Sequence, residues 1–244
     1  MSTVVDFHTH VLPRIDDGSG SVEESLAMLR MEAAQGIRRV VATPHFYASN
    51  DHPQRFLNRR QRAMEELQEA LEDGLPQIVP AAEVRYFDGL SDCDDLEKLT
   101  ITGTSYLLVE MPGAPWSDRM YRELQEVWQK RGITPIMAHV DRYISRANAR
   151  SILGRLEELP VLIQANANFF LGMFTRPMAM KMLKEGQIHC LGSDCHNTVS
   201  RPPNLGKAMA LIKRSLGYGV MEDLDAWEAK IFNQYQTPTP RDGV

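Results

Sequence analysis

The sequence predicts an α/β protein whose parallel strands curl into a closed or distorted βα barrel of seven units. Seven short, β-branched apolar runs alternate with longer amphipathic stretches, the pattern of repeated β-then-α units. The runs are apolar almost throughout, so the sheet they form is covered on both faces. Neither GxGxxG nor GxxxxGK followed by Ser or Thr is present, although an open doubly wound sheet often carries such a phosphate loop after an early strand. A barrel would place its active site at the C-terminal ends of the strands.

The first strand is expected at Val4–His8. A helix follows: Val22, Leu26, Leu29 and Ala33 recur at helical spacing, Ser21 and Glu24 form a capping box, and Gly36 stands where a helix stops. The second strand is Arg39–Thr43. Phe56, Ala63, Met64, Leu67 and Leu71 then mark a helix closed by Gly74, and the third strand is Gln77–Glu83. Residues 85–103 are acidic with little periodicity and read as a loop or small insertion. The fourth strand, Tyr106–Glu110, leads to a helix that starts near Ser117, carries Tyr121, Leu124 and Trp128 and stops at Gly132. Thr134–His139 is the fifth strand, followed by a helical segment from Ser145 to Leu159. Val161–Gln164 is the sixth, and Thr175 caps a helix ending at Gly186. The seventh strand is Ile188–Gly192, and helices near Leu205–Leu216 and Leu224–Phe232 complete the chain. No linker or repeat divides it, so residues 1–236 are expected to form one domain and 237–244 a disordered tail.

Composition narrows the function classes. A chain of 244 residues with 43% hydrophobic and 24% charged residues is an ordinary globular protein. A net charge of −5 gives no electrostatic reason to expect nucleic acid. Cys93, Cys190 and Cys195 form neither an even disulfide framework nor a CxxC pair, which suits a reducing compartment. No secretory signal and no membrane-spanning run is evident, so the expected location is the cytoplasm, without membrane insertion.

Chemistry collects at the strand ends. His8 and His10 lie two apart on one strand, so both side chains face the same way. The next strand ends supply His45, Glu83, Glu110 and His139, and the last supplies Asp194 and His196. Five of the seven histidines fall in this set; His52 reads as a loop or helix-cap residue and His189 as a satisfied core histidine. Only the sixth strand, ending near Asn166, lacks a strong ligand. In a parallel barrel these positions converge on one rim. Mixed imidazole and carboxylate donors suit Zn, Mn or Fe, and their number exceeds the needs of one ion. A site of two or three metals can bind both attacking and leaving oxygens of a phosphoester.

The motifs Asp-Phe-His-Thr-His, Ile-Asp-Asp-Gly-Ser, Ala-Thr-Pro-His, Ala-Glu-Val-Arg, Leu-Val-Glu, Ala-His-Val-Asp-Arg-Tyr and Ser-Asp-Cys-His-Asn resemble the polymerase and histidinol phosphatase (PHP) superfamily. Within it they are most similar to the CpsB/YwqE-type manganese-dependent tyrosine-protein phosphatases of bacterial capsule and exopolysaccharide systems. The resemblance implies a distorted (β/α)7 PHP barrel holding three metals, most simply Mn2+, with Fe, Zn or Mg as alternatives. It implies that His8, His10, Glu83 and Asp194 bind the first ion, with Glu83 bridging to a second held by Glu110 and His139. Asp17, His45 and His196 would hold the third. It also implies phosphate-facing catalytic arginines at Arg142 and Arg201. The implied reaction is attack by a metal-activated hydroxide on phosphotyrosine of a protein, in particular a bacterial tyrosine autokinase.

Val140 and Asp141 depart from the family's usual Pro-Glu, and Cys195 replaces a small residue. Cys195 and Arg201 also fit the Cys-x5-Arg spacing of thiolate phosphatases, but the intervening residues contain no glycine. Cys195 is therefore expected to pack inertly, facing away from the site. The arginines Arg55, Arg59, Arg60 and Arg62 are expected to form a solvated helix face. The competing functions are a small-molecule phosphatase of the histidinol-phosphate kind and a PHP module in nucleic-acid processing.

Overall fold

A computed structural model describes residues 4–113 and 115–232. Among these residues the nine strands are β1 (Val5–Thr9), β2 (Arg39–Ala42), β3 (His45–Phe46), β4 (Gln77–Pro80), β5 (Glu83–Arg85), β6 (Tyr106–Glu110), β7 (Thr134–Met137), β8 (Leu162–Asn166) and β9 (Cys190–Gly192). The helices are α1 (Val22–Ala34), α2 (Pro53–Glu69), α3 (Asp118–Arg131), α4 (Ala149–Glu157), α5 (Ala167–Leu171), α6 (Arg176–Lys184), α7 (Leu205–Leu216) and α8 (Tyr218–Phe232).

Every named strand pair is parallel. β1, β2 and β4 form one sheet, and β3, β5, β6, β7, β8 and β9 form another. The two sheets are one set of seven staves, because β3 continues β2 after Thr43-Pro44 and β5 continues β4 after Ala81-Ala82. Pro44 has no N–H to donate to a ladder, which favours a break there. The third expected strand, Gln77–Glu83, is thus two segments, and His45–Phe46 is an unexpected short strand. The last stave returns to the first through a Thr9–Cys195 bridge. There the Asp194 N–H donates to the His8 carbonyl at 2.8 Å, and the His10 N–H donates to the Cys195 carbonyl at 2.9 Å.

A register shift between Asp6 and Thr9 distorts β1. Val5 and Phe7 pack in the inner cluster with Val41, Tyr106, Leu108, Ile136 and Cys190. Strict alternation would then point His8 outward. The irregularity brings His8 to the inner side beside His10, a local re-aiming that bulges commonly provide. At the opposite end Ile231 of α8 is buried in the same inner cluster, with Trp227 and Phe232 packed against it. The larger cluster, including Leu29, Phe56, Leu124, Leu156 and Leu183, lies between the staves and the other helices.

Other boundaries differ locally. The fifth strand stops at Met137 because His139 adopts a positive φ of 31°, outside the strand region. α2 ends at Glu69 rather than reaching Gly74, and α4 begins only at Ala149, after Asn148 accepts the Ser145 N–H. The insertion after Arg85 contains two 3₁₀ turns whose Leu90, Leu96 and Leu99 are fully buried. The tail 237–244 lies outside the described residues. No helix among the described residues is long and apolar enough to cross a membrane.

Candidate metal centre

Glu83 is the hub of the strand-end cluster. Its Oε2 lies 3.1 Å from His8 Nε2, 3.4 Å from His10 Nε2 and 3.0 Å from His45 Nδ1, while Oε1 lies 2.8 Å from His139 Nε2. Asp194 Oδ1 stands 3.6 Å from His8 Nε2 and 3.5 Å from His10 Nε2. Glu110 Oε1 is 3.8 Å from His139 Nε2. Asp17 Oδ1 lies 3.5 Å from His45 Nε2 and 3.6 Å from His196 Nε2. All nine candidate ligands named from the sequence therefore converge on one pocket.

Donor chemistry fits divalent ions. Three overlapping groups bring donor atoms within 4.8 Å of one another: His10, Asp17, His45 and His196; His8, His10 and Asp194; His45, Glu83 and Glu110. With metal–donor bonds of about 2.1 Å, donors around one ion stand about 3.0–3.4 Å apart. His8 Nε2 and His10 Nε2 face each other at 3.2 Å, a spacing of that kind. Buried Glu83 Oε2, His45 Nδ1, His139 Nδ1 and His196 Nε2 make no hydrogen bond, and Glu110 Oε2 meets only the partly exposed Arg85, at 3.0 Å. Glu83 Oε2 is near three imidazole nitrogens, yet none approaches with hydrogen-bond geometry. Orphaned buried acceptors are costly, and a shared cation satisfies several together.

Electrostatics point the same way. Burial opposes a charge on His10, but Asp16 and Glu83 overcome it and raise its pKa to about 10. Burial also opposes ionisation of Asp194, yet His8, His10 and Arg142 hold its carboxyl down at about 2. A field that stabilises a proton on His10 stabilises a metal cation in its place. His196 is lowered to about 4, by burial and then by neighbouring His10, so its imidazole stays neutral.

Several supporting residues escaped the sequence argument. Asp16 Oδ2 accepts from His10 Nδ1 at 2.7 Å and from the His45 N–H at 3.0 Å, while Oδ1 accepts the Gly18 N–H at 3.0 Å. A Cβ on Gly18 would lie 2.4 Å from the His10 carbonyl oxygen, so the loop can pass only with glycine there. Gln164 Oε1 accepts the His139 N–H at 2.6 Å, and its Nε2 donates to Asn166 Oδ1 at 3.0 Å. That identifies the amide oxygen. His8 Nδ1, 3.2 Å from the same oxygen, must then carry the ring proton and leave Nε2 as the lone pair facing the pocket. Asn166 Nδ2 in turn donates to Asp194 Oδ2 at 3.0 Å. The stave without ligands therefore orients ligands on its neighbours. Its Gln164 and Asn166, two apart on an apolar strand, were the available signal.

Arg142 and Arg201 both reach the site and both grip Asp194. Arg142 Nη2 bonds Asp194 Oδ2, and Arg201 Nη2 donates to Asp194 Oδ1 at 2.8 Å. Arg85, which carries no ligand signal in the sequence, lies 3.0 Å from Glu110 Oε2. All three guanidinium side chains are about two-fifths exposed, between 38% and 42%, so their outer N–H groups remain open on the rim. Asp141 instead faces β8, where its Oδ1 accepts the Asn166 N–H at 2.9 Å.

Cys195 turns away from the pocket, its sulfur 3.8 Å from buried Glu32 Oε1. Burial, then Glu32 and Asp6, push its thiol well above the usual range, so a thiol that faces Glu32 and stays protonated argues against the thiolate route. The arginine face of α2 is only partly solvated: Arg60 donates to the Ala81 and Lys98 carbonyls at 2.7 and 3.0 Å, and Arg59 bonds Asp51. Their long side chains reach the preceding loop and the 3₁₀ segment, which helical spacing alone cannot reveal. His52 caps α2, its Nδ1 accepting the Gln54 N–H at 3.3 Å. His189 Nδ1 accepts the Ile163 N–H at 3.0 Å, and its ring sits edge-on to Trp227.

Comparisons with known proteins bear on the family and the fold. The profile of the family described as capsular polysaccharide synthesis, CpsB/CapC, matches residues 4–231. The tyrosine-protein phosphatase YwqE of Bacillus subtilis is 26% identical over 222 residues, covering 88% of this chain and 85% of that protein. The tyrosine-protein phosphatase CpsB of Streptococcus pneumoniae is 28% identical over 224 residues, covering 88% and 91%. In fold, the chain resembles the crystal structures of YwqE from Bacillus subtilis and CpsB from Streptococcus pneumoniae, described as unique metal-dependent tyrosine phosphatases. The TM-score is 0.80 at 24% identity, over 94% of each chain. With its barrel, its strand-end donors and a profile match from residue 4 to residue 231, the chain belongs to the CpsB/CapC family of capsular polysaccharide synthesis.

Proposed function

We propose that this chain is a metal-dependent phosphatase that hydrolyses phosphotyrosine on a protein, with residues 1–236 acting as one catalytic unit. The observation that carries it is the Glu83 carboxylate set among four imidazoles, with buried donors left unsatisfied. His8, His10, Glu83 and Asp194 would hold one ion; Glu83, Glu110 and His139 a second; Asp17, His45 and His196 a third. The family resemblance makes Mn2+ the ion of choice, while the mixed oxygen and imidazole set by itself suits Fe and Zn as well, and Mg less. Such ions polarise phosphoryl oxygens and lower the pKa of water.

The chain's own residues supply binding and orientation. Gln164 and Asp16 hold His8 and His10 with their Nε2 atoms toward the pocket. With Asp194 committed to the ions, Arg142 and Arg201 keep N–H groups on the rim to bind phosphoryl oxygens and offset charge as the ester bond breaks. Selectivity for tyrosine is supported by the activity named for the relatives. The partner that fits is a bacterial tyrosine autokinase acting in capsule or exopolysaccharide synthesis, met in the cytoplasm.

Manganese-loaded protein assayed in parallel on phosphotyrosyl peptide, histidinol phosphate and single-stranded DNA tests this. The peptide should be the best substrate by at least tenfold in kcat/KM. Preference for either of the others would overturn the proposal.

A further inference from the structure

A groove of about 800 Å³ runs between α4 and α6, outside the metal centre. It opens on the same rim. Arg142 of the site and Arg146 of the groove belong to one connection, between β7 and α4. Phe174, on the opposite lip, lies in the connection from α5 to α6, just beyond β8.

The groove is polarised. Arg146 and Arg150 stand at the rim end, both exposed, and neither guanidinium forms an ion pair or hydrogen bond with any described residue. Lys181 also lines the groove but already pairs with Glu185 at 3.8 Å. Glu157 and Glu185, at the last turns of their helices, mark the far end. Phe174 is 83% exposed and its neighbour Met173 72%, an apolar lip that nothing in the fold covers. In a chain of net charge −5, two free guanidinium groups beside an uncovered aromatic ring form a local positive and aromatic surface.

We infer that this groove docks the polypeptide that flanks the phosphotyrosine, with acidic residues of the substrate meeting Arg146 and Arg150 and an aromatic residue covering Phe174. The inference rests on the proposed phosphotyrosine activity. Charge complementarity selects the acidic residues, and offset or edge-to-face packing selects the aromatic one. The rim position selects a chain entering the catalytic pocket over a separate ligand. An uncharged or basic flank would gain nothing from the arginines and would be handled less well.

Two phosphotyrosyl peptides, one with acidic flanks and one with the same flanks as Asn and Gln, are compared with p-nitrophenyl phosphate on manganese-loaded protein. Wild type should favour the acidic peptide by about three- to tenfold in kcat/KM, expressed in KM, as a pair of exposed charge contacts allows. Arg146→Glu with Arg150→Glu should erase that preference while p-nitrophenyl phosphate turnover stays within about twofold; Phe174→Ala should weaken both peptides alone. An unchanged preference in the double variant overturns the groove, as does an equal loss on all three substrates. Fluorescence anisotropy with the unphosphorylated acidic peptide separates the two proposals. If wild type binds it, the double variant does not, and neither phosphopeptide is cleaved, the groove stands and the phosphotyrosine activity falls. Equal binding to both proteins overturns the groove whatever the turnover.

Discussion

The side-chain oxygen of Gln164 lies 3.2 Å from His8 Nδ1 and 2.6 Å from the backbone nitrogen of His139. One amide from a strand without ligands thus fixes the ring of one candidate ligand and the backbone of another. Gln164→Ala is expected to lower metal affinity by about 10- to 100-fold, the usual cost of losing a hydrogen-bonding partner of a ligand. Competition with a chelating indicator measures this, and wild-type affinity in the variant would remove Gln164 from its positioning role.

His10→Ala and Asp194→Ala should abolish turnover while thermal unfolding stays cooperative. Both residues are buried in the donor cluster rather than in either apolar core. Chelation should silence the wild type reversibly, with manganese restoring it. Appreciable turnover in either variant would contradict the ligand assignment.

Cys195→Ser should retain activity, because the sulfur faces Glu32 and not the pocket. In the folded protein a thiol reagent should label Cys93, which is half-buried, before buried Cys190 or Cys195. A dead Cys195→Ser variant with full metal content would return the thiolate mechanism to consideration.

Gly192→Ala should destabilise the barrel and loosen metal binding together. A Cβ there would lie 2.6 Å from His8 Cβ and 2.9 Å from Gln164 Nε2, too close for either to remain in place. The expected cost is about 1–3 kcal/mol, the range for overpacking a dense core. Urea titration at saturating and at depleted manganese would show the loss in both conditions, and a change in only one would separate packing from ligation.

His189 gives a pH signature far from the metals. Burial, and then Lys230, lower its pKa to about 4, and its Nδ1 must stay unprotonated to accept the Ile163 N–H. The folded form therefore resists a proton that the unfolded chain accepts near pH 6.5. Stability from this group is complete above pH 6.5 and lost as pH falls toward 4, by at most about 3 kcal/mol. His189→Gln should flatten that part of the stability profile relative to wild type. Parallel profiles for the two proteins would refute it.

The candidate ligands were legible in the sequence because few residue types bind metals, and histidines at the ends of apolar runs are conspicuous. His8, His45, Glu83, His139 and Asp194 could be placed on a common rim once the runs were read as parallel strands. Gln164 and Asn166 stand out only as two amides two apart on an apolar strand; that they orient ligands is not legible until their partners His8, His139 and Asp194 are known. Arg85 was hidden for a related reason, since only β5–β6 pairing reveals its partner Glu110. The split of the third stave at Ala81-Ala82 and the short helix α5 depend on tertiary packing, which periodicity does not encode.

The slip in β1 has a consequence for anyone transplanting this chemistry. His-x-His supplies two imidazoles with a shared orientation, but the orientation itself is a matter of phase relative to the residues beneath. Grafted onto a regular strand whose inner positions match Val5 and Phe7, the same tripeptide would aim both rings at the helices. A portable version of this motif must carry its dislocation with it.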